Sequence, residues 1–168
     1  MNLFFRTLIA AAAGALLLTV PIALQAQVPE AGGEAAAARS DASSLYERLG
    51  GLPAISLVVD DFVDDFIEDP LILANPAVRE RKTPEAAPYV KFQVTSLVCQ
   101  MAGGPCQYTG LDMRTAHEGL NVTQEEWDRM VEIFAGTLAR HQVPEQETQE
   151  LFGLMGPARD DIVVSGRE

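Results

Sequence analysis

Between Pro53 and Asp69 the chain follows a pattern that only a helix satisfies. Ile55, Val58, Val59, Phe62, Val63, Phe66 and Ile67 recur at helical spacing, while Asp60, Asp61, Asp64, Asp65 and Glu68 fill the positions between them. One face is therefore apolar with an aromatic stripe, and the other is a row of carboxylates. Proline is tolerated in a first helical turn, so Pro53 reads as the start, and Pro70 forces the end. The acidic face lacks the spacing of a calcium loop and reads as solvated surface.

The same periodicity places further helices. From Pro88, the residues Val90, Phe92, Val94, Leu97, Val98 and Met101 lead up to a stop at Gly103-Gly104-Pro105. Thr123 with Glu126 forms a capping box that opens a helix with Trp127, Met130, Val131, Phe134 and Leu138 on one side. Pro144 opens the last helix, which carries Leu151, Leu154 and Met155 and is broken or kinked at Gly156-Pro157 before Ile162. Ahead of all of these, Ser44 with Glu47 makes another capping box, and its short helix stops at Gly50-Gly51. Leu71 to Ala87 is interrupted by prolines and shows little periodicity, which predicts irregular structure or one short helical turn. No segment carries a hairpin or strand pattern, so the fold class is all-α.

The start of the chain reads differently. Arg6 precedes an almost unbroken apolar run from Thr7 to Leu24, and Leu24-Gln25-Ala26 ends it on a small residue. This is the layout of a secretory signal peptide over residues 1–26, cleaved after Ala26. The competing reading is a single membrane anchor, since the run nearly spans a bilayer. Its Ala- and Gly-rich first half and Pro21 near its end favour cleavage, which predicts a periplasmic or secreted protein with no membrane span left. Residues 27–43 are rich in Ala, Gly and Glu without a hydrophobic period and read as a flexible linker. Residues 44–165 remain, about 120, enough for one domain with one core.

Charge and cysteines narrow the function classes. The 12 basic and 24 acidic residues give a net charge of −12, which repels phosphate backbones and argues against nucleic acid as a partner. Cys99 and Cys106 are the only cysteines, and export makes a disulfide between them the expectation. Their spacing fits no zinc or Cys-x-x-Cys redox pattern, and no Cys-x-x-Cys-His run is present for covalent haem attachment.

Candidate chemistry centres on His117. A lone imidazole near apolar residues is most often a surface or hydrogen-bonded core group. The chain's other histidine, His141, sits at a helix end, where a cation complements the dipole. His117 has no such local reason: it lies on a short segment between glycine-punctuated turns, just ahead of the Trp127 helix.

Four stretches together resemble the truncated haemoglobins: Leu45-Tyr46-Glu47-Arg48-Leu49-Gly50-Gly51, Val58-Val59-Asp60-Asp61-Phe62, Gly103-Gly104-Pro105 with Tyr108-Thr109-Gly110, and His117-Glu118-Gly119-Leu120-Asn121-Val122-Thr123. The resemblance runs from about Ser44 to Val163 and is closest to group I of these bacterial-like globins. It implies a globin-like two-over-two helical sandwich around haem b, held non-covalently, with His117 as the axial iron ligand. A ligating imidazole is expected to give its other N–H to a backbone carbonyl. Met113, Trp127 and Met130 then fall on the proximal side, and Phe62, Val63, Val90 and Val94 on the distal side.

The departures from the family pattern bear on ligand chemistry. Val63 stands where members that hold oxygen tightly have Tyr, and Val90 and Val94 take the other distal positions with Gln93 beside them. Ala74-Asn75-Pro76 occupies the corner where the family usually has a haem-stacking Phe. The distal polar network is thus missing, or rebuilt from Tyr89 and Gln93. The resemblance implies an exported globin that binds a diatomic gas (O2, NO or CO) or passes an electron from a donor. The alternatives are a haem redox enzyme, such as an NO dioxygenase or weak peroxidase, and a haem-free interaction module on a globin scaffold. Neither a reductase domain nor a distal His is recognisable, so ligand binding is preferred over catalysis.

Overall fold

The computed structural model describes residues 43–164, which fall within one compact unit. The expected signal peptide, and the linker but for its last residue, lie outside the described residues. Among those described, the regular elements are all helical, and no helix is long and apolar enough to cross a membrane.

The first described helix is α1 (Leu45–Arg48), whose capping box is complete: the Ser44 hydroxyl accepts from the Glu47 N–H, and the Glu47 carboxylate from the Ser44 N–H. α2 (Gly51–Glu68) starts two residues before Pro53, which takes a place in its first turn. It is the centre of the packing, lying along α5 (Ala86–Met101) and against α7 (Gln124–Arg140). Its residues Ile55, Val59, Phe62 and Val63 are buried with Cys99 and Ala102, Phe134 and Leu138 of α7, and Leu151 of α8 (Glu145–Met155). The Phe62 and Phe134 rings meet edge-on at 5.0 Å, and Phe134 meets Phe152 at 5.7 Å, the arrangement that ring quadrupoles favour.

One expectation is corrected. The segment from Leu71 to Ala87, expected to be irregular or one short helical turn, carries the consecutive helices α3 (Pro70–Ala74) and α4 (Pro76–Arg81) and the start of α5. Asp69 and Asn75 explain why. Each precedes a proline in extended backbone and turns its side-chain oxygen onto the first free N–H groups of the helix that follows. Asp69 Oδ1 accepts from Leu71 and Ile72 at 3.0 and 3.2 Å, and Asn75 Oδ1 from Ala77 and Val78 at 3.0 and 3.4 Å. The prolines here begin helices instead of breaking a longer one. By the same allowance α5 begins at Ala86, with Pro88 in its first turn.

The acidic face of α2 is exposed, as expected of solvated surface, and its carboxylates also meet side chains from elsewhere in the fold. Lys91 of α5 sits between Asp60 and Asp64 at 2.7 and 2.8 Å, His141 Nε2 is 2.7 Å from Asp61, Lys82 is 2.7 Å from Glu68, and Arg140 reaches Asp65. Hydrogen bonds from Lys91 to Asp60 and Asp64 hold its ammonium pKa above the ordinary value. α6 (Met113–His117) lies between α5 and α7 in sequence, and the last described elements are a 3-10 turn (Gly156–Ala158) and α9 (Arg159–Ile162), which packs against α6.

Asp69 is buried and bonded to Arg129, at 3.0 Å from Nε and 2.9 Å from Nη2. Burial pushes its carboxyl up, but Arg129 and the N–H groups of Ile72 and Leu71 outweigh it, so the pKa lies below the ordinary 3.8. A depressed folded-state pKa gives stability that is complete above the unfolded value and lost as pH falls through the folded one. Asp69→Asn keeps a capping oxygen and loses the charge. It is expected to unfold roughly 1–3 kcal/mol more easily than wild type at pH 7, with the gap closing below pH 3.8. Urea unfolding followed by circular dichroism across this range measures both effects.

Candidate functional site

His117 is the last residue of α6, a helix of 5 residues. Asp112 starts this helix, accepting from the Thr115 N–H at 3.0 Å and from the Thr115 hydroxyl at 2.7 Å. The Thr115 N–H is the main reason the Asp112 carboxyl sits below the ordinary carboxylate range. One turn back from His117, the Met113 carbonyl oxygen lies 2.8 Å from the ring Nδ1. A carbonyl only accepts, so Nδ1 is the donor, and in the neutral form of the ring the lone pair is on Nε2. That is the tautomer a metal-binding histidine needs, with its outer nitrogen already engaged. Gly119, at φ 76° in the left-handed region, then turns the chain so that the Leu120 N–H reaches the His117 carbonyl at 3.0 Å.

The approach to this helix is packed closely. Cys99 and Cys106 are joined by a disulfide with 5.8 Å between their Cα atoms, and Cys99 is fully buried. Between them, Gly104 admits no side chain, because a Cβ there would lie 2.4 Å from the Tyr46 ring and 2.8 Å from the Cys99 carbonyl oxygen. Gln100 Oε1 accepts from the Tyr108 N–H at 2.8 Å, and the Tyr108 hydroxyl donates to the Leu111 carbonyl at 2.6 Å. Burial raises the Tyr108 pKa, with smaller contributions from Tyr89 and Asp112.

The remaining candidate residues fall into two sets. Phe62, Val63, Val94 and Met130 belong to the apolar cluster at the centre of the fold, the first two fully within it. Val90, Met113 and Trp127 lie outside that cluster: Trp127 is buried, Met113 half-buried and Val90 exposed. Between Val90 and Val94, the Gln93 side-chain oxygen is buried and has no hydrogen-bond partner among the described residues. A buried amide oxygen left this way costs about 1–3 kcal/mol, so Gln93 marks a place where a polar partner is wanted. Tyr89 is 59% exposed. A small apolar cavity of about 20 Å³ among the described residues is lined by residues such as Ile55, Val58, Val98 and Leu138.

The comparisons with known proteins agree with this geometry. The pattern of the bacterial-like globin family matches residues 44–164. The group 1 truncated hemoglobin of Mycolicibacterium paratuberculosis is 25% identical over 124 residues, covering 74% of this chain and 87% of that protein. Its counterpart in Synechocystis is 29% identical over 121 residues, covering 68% and 90%. Among solved structures, the Fe(III) form of the truncated hemoglobin from Tetrahymena pyriformis superposes with a TM-score of 0.60 at 26% identity, covering 72% of this chain and 98% of that one. The 2/2 hemoglobin from Synechococcus, solved in the cyanomet state with covalently attached heme, gives 0.62 at 26% identity with the same coverages.

A helical domain packed in this way, with one histidine presented on a short segment, is a globin. The chain belongs to the bacterial-like globin family, among the group I truncated haemoglobins, and its fold is their two-over-two helical sandwich.

The disulfide closes a short loop ahead of His117, and the chain-entropy argument assigns such a loop about 2–3 kcal/mol. The double variant Cys99→Ala/Cys106→Ala is expected to lose about that much stability in urea unfolding. Wild-type protein unfolded without reductant should show no alkylatable thiol.

Proposed function

We propose that this chain is an exported globin that holds haem b through His117 and takes a diatomic gas, O2, NO or CO. The observation that carries the reading is the 2.8 Å bond from the His117 ring Nδ1 to the Met113 carbonyl, which leaves Nε2 as a basic nitrogen in a fixed ring. A haem supplies iron with a macrocycle of nitrogens already around it and a position open to a gas.

The residues present fit that group. Metal sites built from side chains alone need several converging donors, and among the described residues no three His, Cys, Asp or Glu side chains come together to hold a metal ion. One imidazole is enough where the group brings its other ligands. Met113, Trp127 and Met130 would offer it apolar surface on the His117 side, and Phe62, Val63, Val90 and Val94 on the other. The unpartnered Gln93 oxygen supplies the polar group on the α5 side. The names of the relatives as hemoglobins support the reading further, and the absence of a Cys-x-x-Cys-His run favours non-covalent binding here. Periplasmic or secreted location rests on the signal-peptide pattern of residues 1–26, and any electron donor would be met there.

If His117 is the iron ligand, His117→Ala should lose its haem. Wild type loaded with haem is expected to keep its Soret absorbance through desalting and to bind carbon monoxide once reduced. The variant should lose that absorbance, and equal retention by the two proteins would remove the assignment.

The distal side sets oxygen release. A hydrogen-bond donor stabilises oxygen, which draws negative charge from iron, far more than carbon monoxide, and a charge-assisted bond is worth about 1.5–3 kcal/mol. With Val63, Val90 and Val94 unable to donate, release should be fast, and Gln93, after a half-turn of its amide, is the nearest source of an N–H. Val63→Tyr is expected to slow oxygen dissociation by roughly ten- to hundredfold, and Gln93→Leu to speed it, with carbon monoxide rates little changed. Stopped-flow ligand replacement on the three proteins checks this.

A further inference from the structure

The helix that ends in His117 is held from outside by the preceding segment of the chain. Arg81, the last residue of α4, donates from Nη1 to the Ala116 carbonyl at 3.2 Å and from Nη2 to the Glu118 carbonyl at 2.7 Å. These are the carbonyls on either side of His117, whose own carbonyl is taken by the Leu120 N–H. At the start of the same segment, Asn75 donates from Nδ2 to the Leu120 carbonyl at 2.9 Å. Its oxygen is already committed to α4, so the amide cannot turn away.

The chemistry of this contact is specific. The last carbonyls of a helix have no partner within it, and a cation at that end also complements the dipole. A guanidinium presents several N–H groups in a rigid planar fork, so one side chain can fix two carbonyls at once. An ammonium is a single point and cannot hold both in one orientation. Arg81 fixes the Ala116–His117 and Glu118–Gly119 peptide planes while Leu120 holds the His117 carbonyl between them, which fixes the His117 backbone and with it the direction of the ring.

We propose that Arg81 is a positioning residue for His117: by gripping the carbonyls of Ala116 and Glu118 it sets the angle at which the imidazole meets its ligand. The proposal rests on the reading of His117 as the haem ligand. The hydrogen bonds of Arg81 to this helix both go to backbone carbonyls, so it acts through the backbone. Arg79, two residues earlier, donates to Leu73 within its own segment and serves as the control for loss of a cation from α4.

The test uses the full mature chain loaded with haem, as wild type, Arg81→Met, Arg81→Lys, Arg79→Met and His117→Ala. Haem loss to excess apomyoglobin and the iron–imidazole stretching band in resonance Raman are read on each, and amide exchange at Leu120 is read on the haem-free proteins. Arg81→Met is expected to lose haem roughly tenfold faster, with a shifted or broadened iron–imidazole band and faster Leu120 exchange. Arg81→Lys should recover thermal stability but not the band, and Arg79→Met should match wild type. A wild-type band and haem-loss rate in Arg81→Met, with His117→Ala losing haem, overturns this proposal alone. A lower melting temperature with an unshifted band also overturns it, because Arg81 then serves stability only. Haem retention by His117→Ala at the wild-type rate overturns the haem-ligand reading and this proposal with it.

Discussion

A helix of five residues cannot stand by itself. Its first turn fixes several backbone angles for one hydrogen bond, and α6 ends before the gain from further turns arrives. His117 is therefore oriented by what surrounds α6 and not by helix formation. Asp112 closes one end, the Met113 carbonyl holds the ring, and Gly119 turns the chain back so that Leu120 seals the His117 carbonyl. Arg81 and Asn75 reach in from one side, and α9 packs from the other. The site is a short piece of backbone in a rigid frame, which holds the His117 ring in one orientation.

That frame depends on the pairing of charges across elements. A net charge of −12 would drive the chain apart if the carboxylates stood alone. The acidic face of α2 instead meets Lys91, Arg140 and His141, and Arg48 of α1 meets Glu147 and Glu150 of α8. Exposed ion pairs contribute little each. Their value here is register: Lys91 lies between two aspartates one turn apart on α2, and so fixes how α5 slides along it.

What was legible in the sequence was what repeats. The long helices followed from apolar residues at helical spacing, and both capping boxes, at Ser44 and Thr123, formed as read. Asp69-Pro70 and Asn75-Pro76 misled because a proline after Asp or Asn looks the same whether it ends one helix or starts another, and the backbone of the cap decides. The paired acidic face was hidden for a different reason. The partners of Asp61 and Asp65 lie 80 and 75 residues further on, beyond the reach of any local pattern. At the site, His117 stood out through its neighbours, and the grouping of Val63, Val90 and Trp127 around it rested on resemblance alone. Arg81 carried no signal beyond being one basic residue among several. The unpartnered oxygen of Gln93 is a property of three-dimensional packing that no sequence pattern displays.

The bonds that frame His117 also tie it to distant parts of the chain. Asn75 reaches 45 residues to Leu120, and Arg81 reaches 37 to Glu118. At the far end of the described chain the Val164 N–H closes onto the Val122 carbonyl. Contacts between segments so far apart form only after the entropy of closing long loops has been overcome. The turn that carries His117 is thus in place only when segments from Asn75 to Val164 have come together, so its geometry reports on the whole domain and not on its own short sequence.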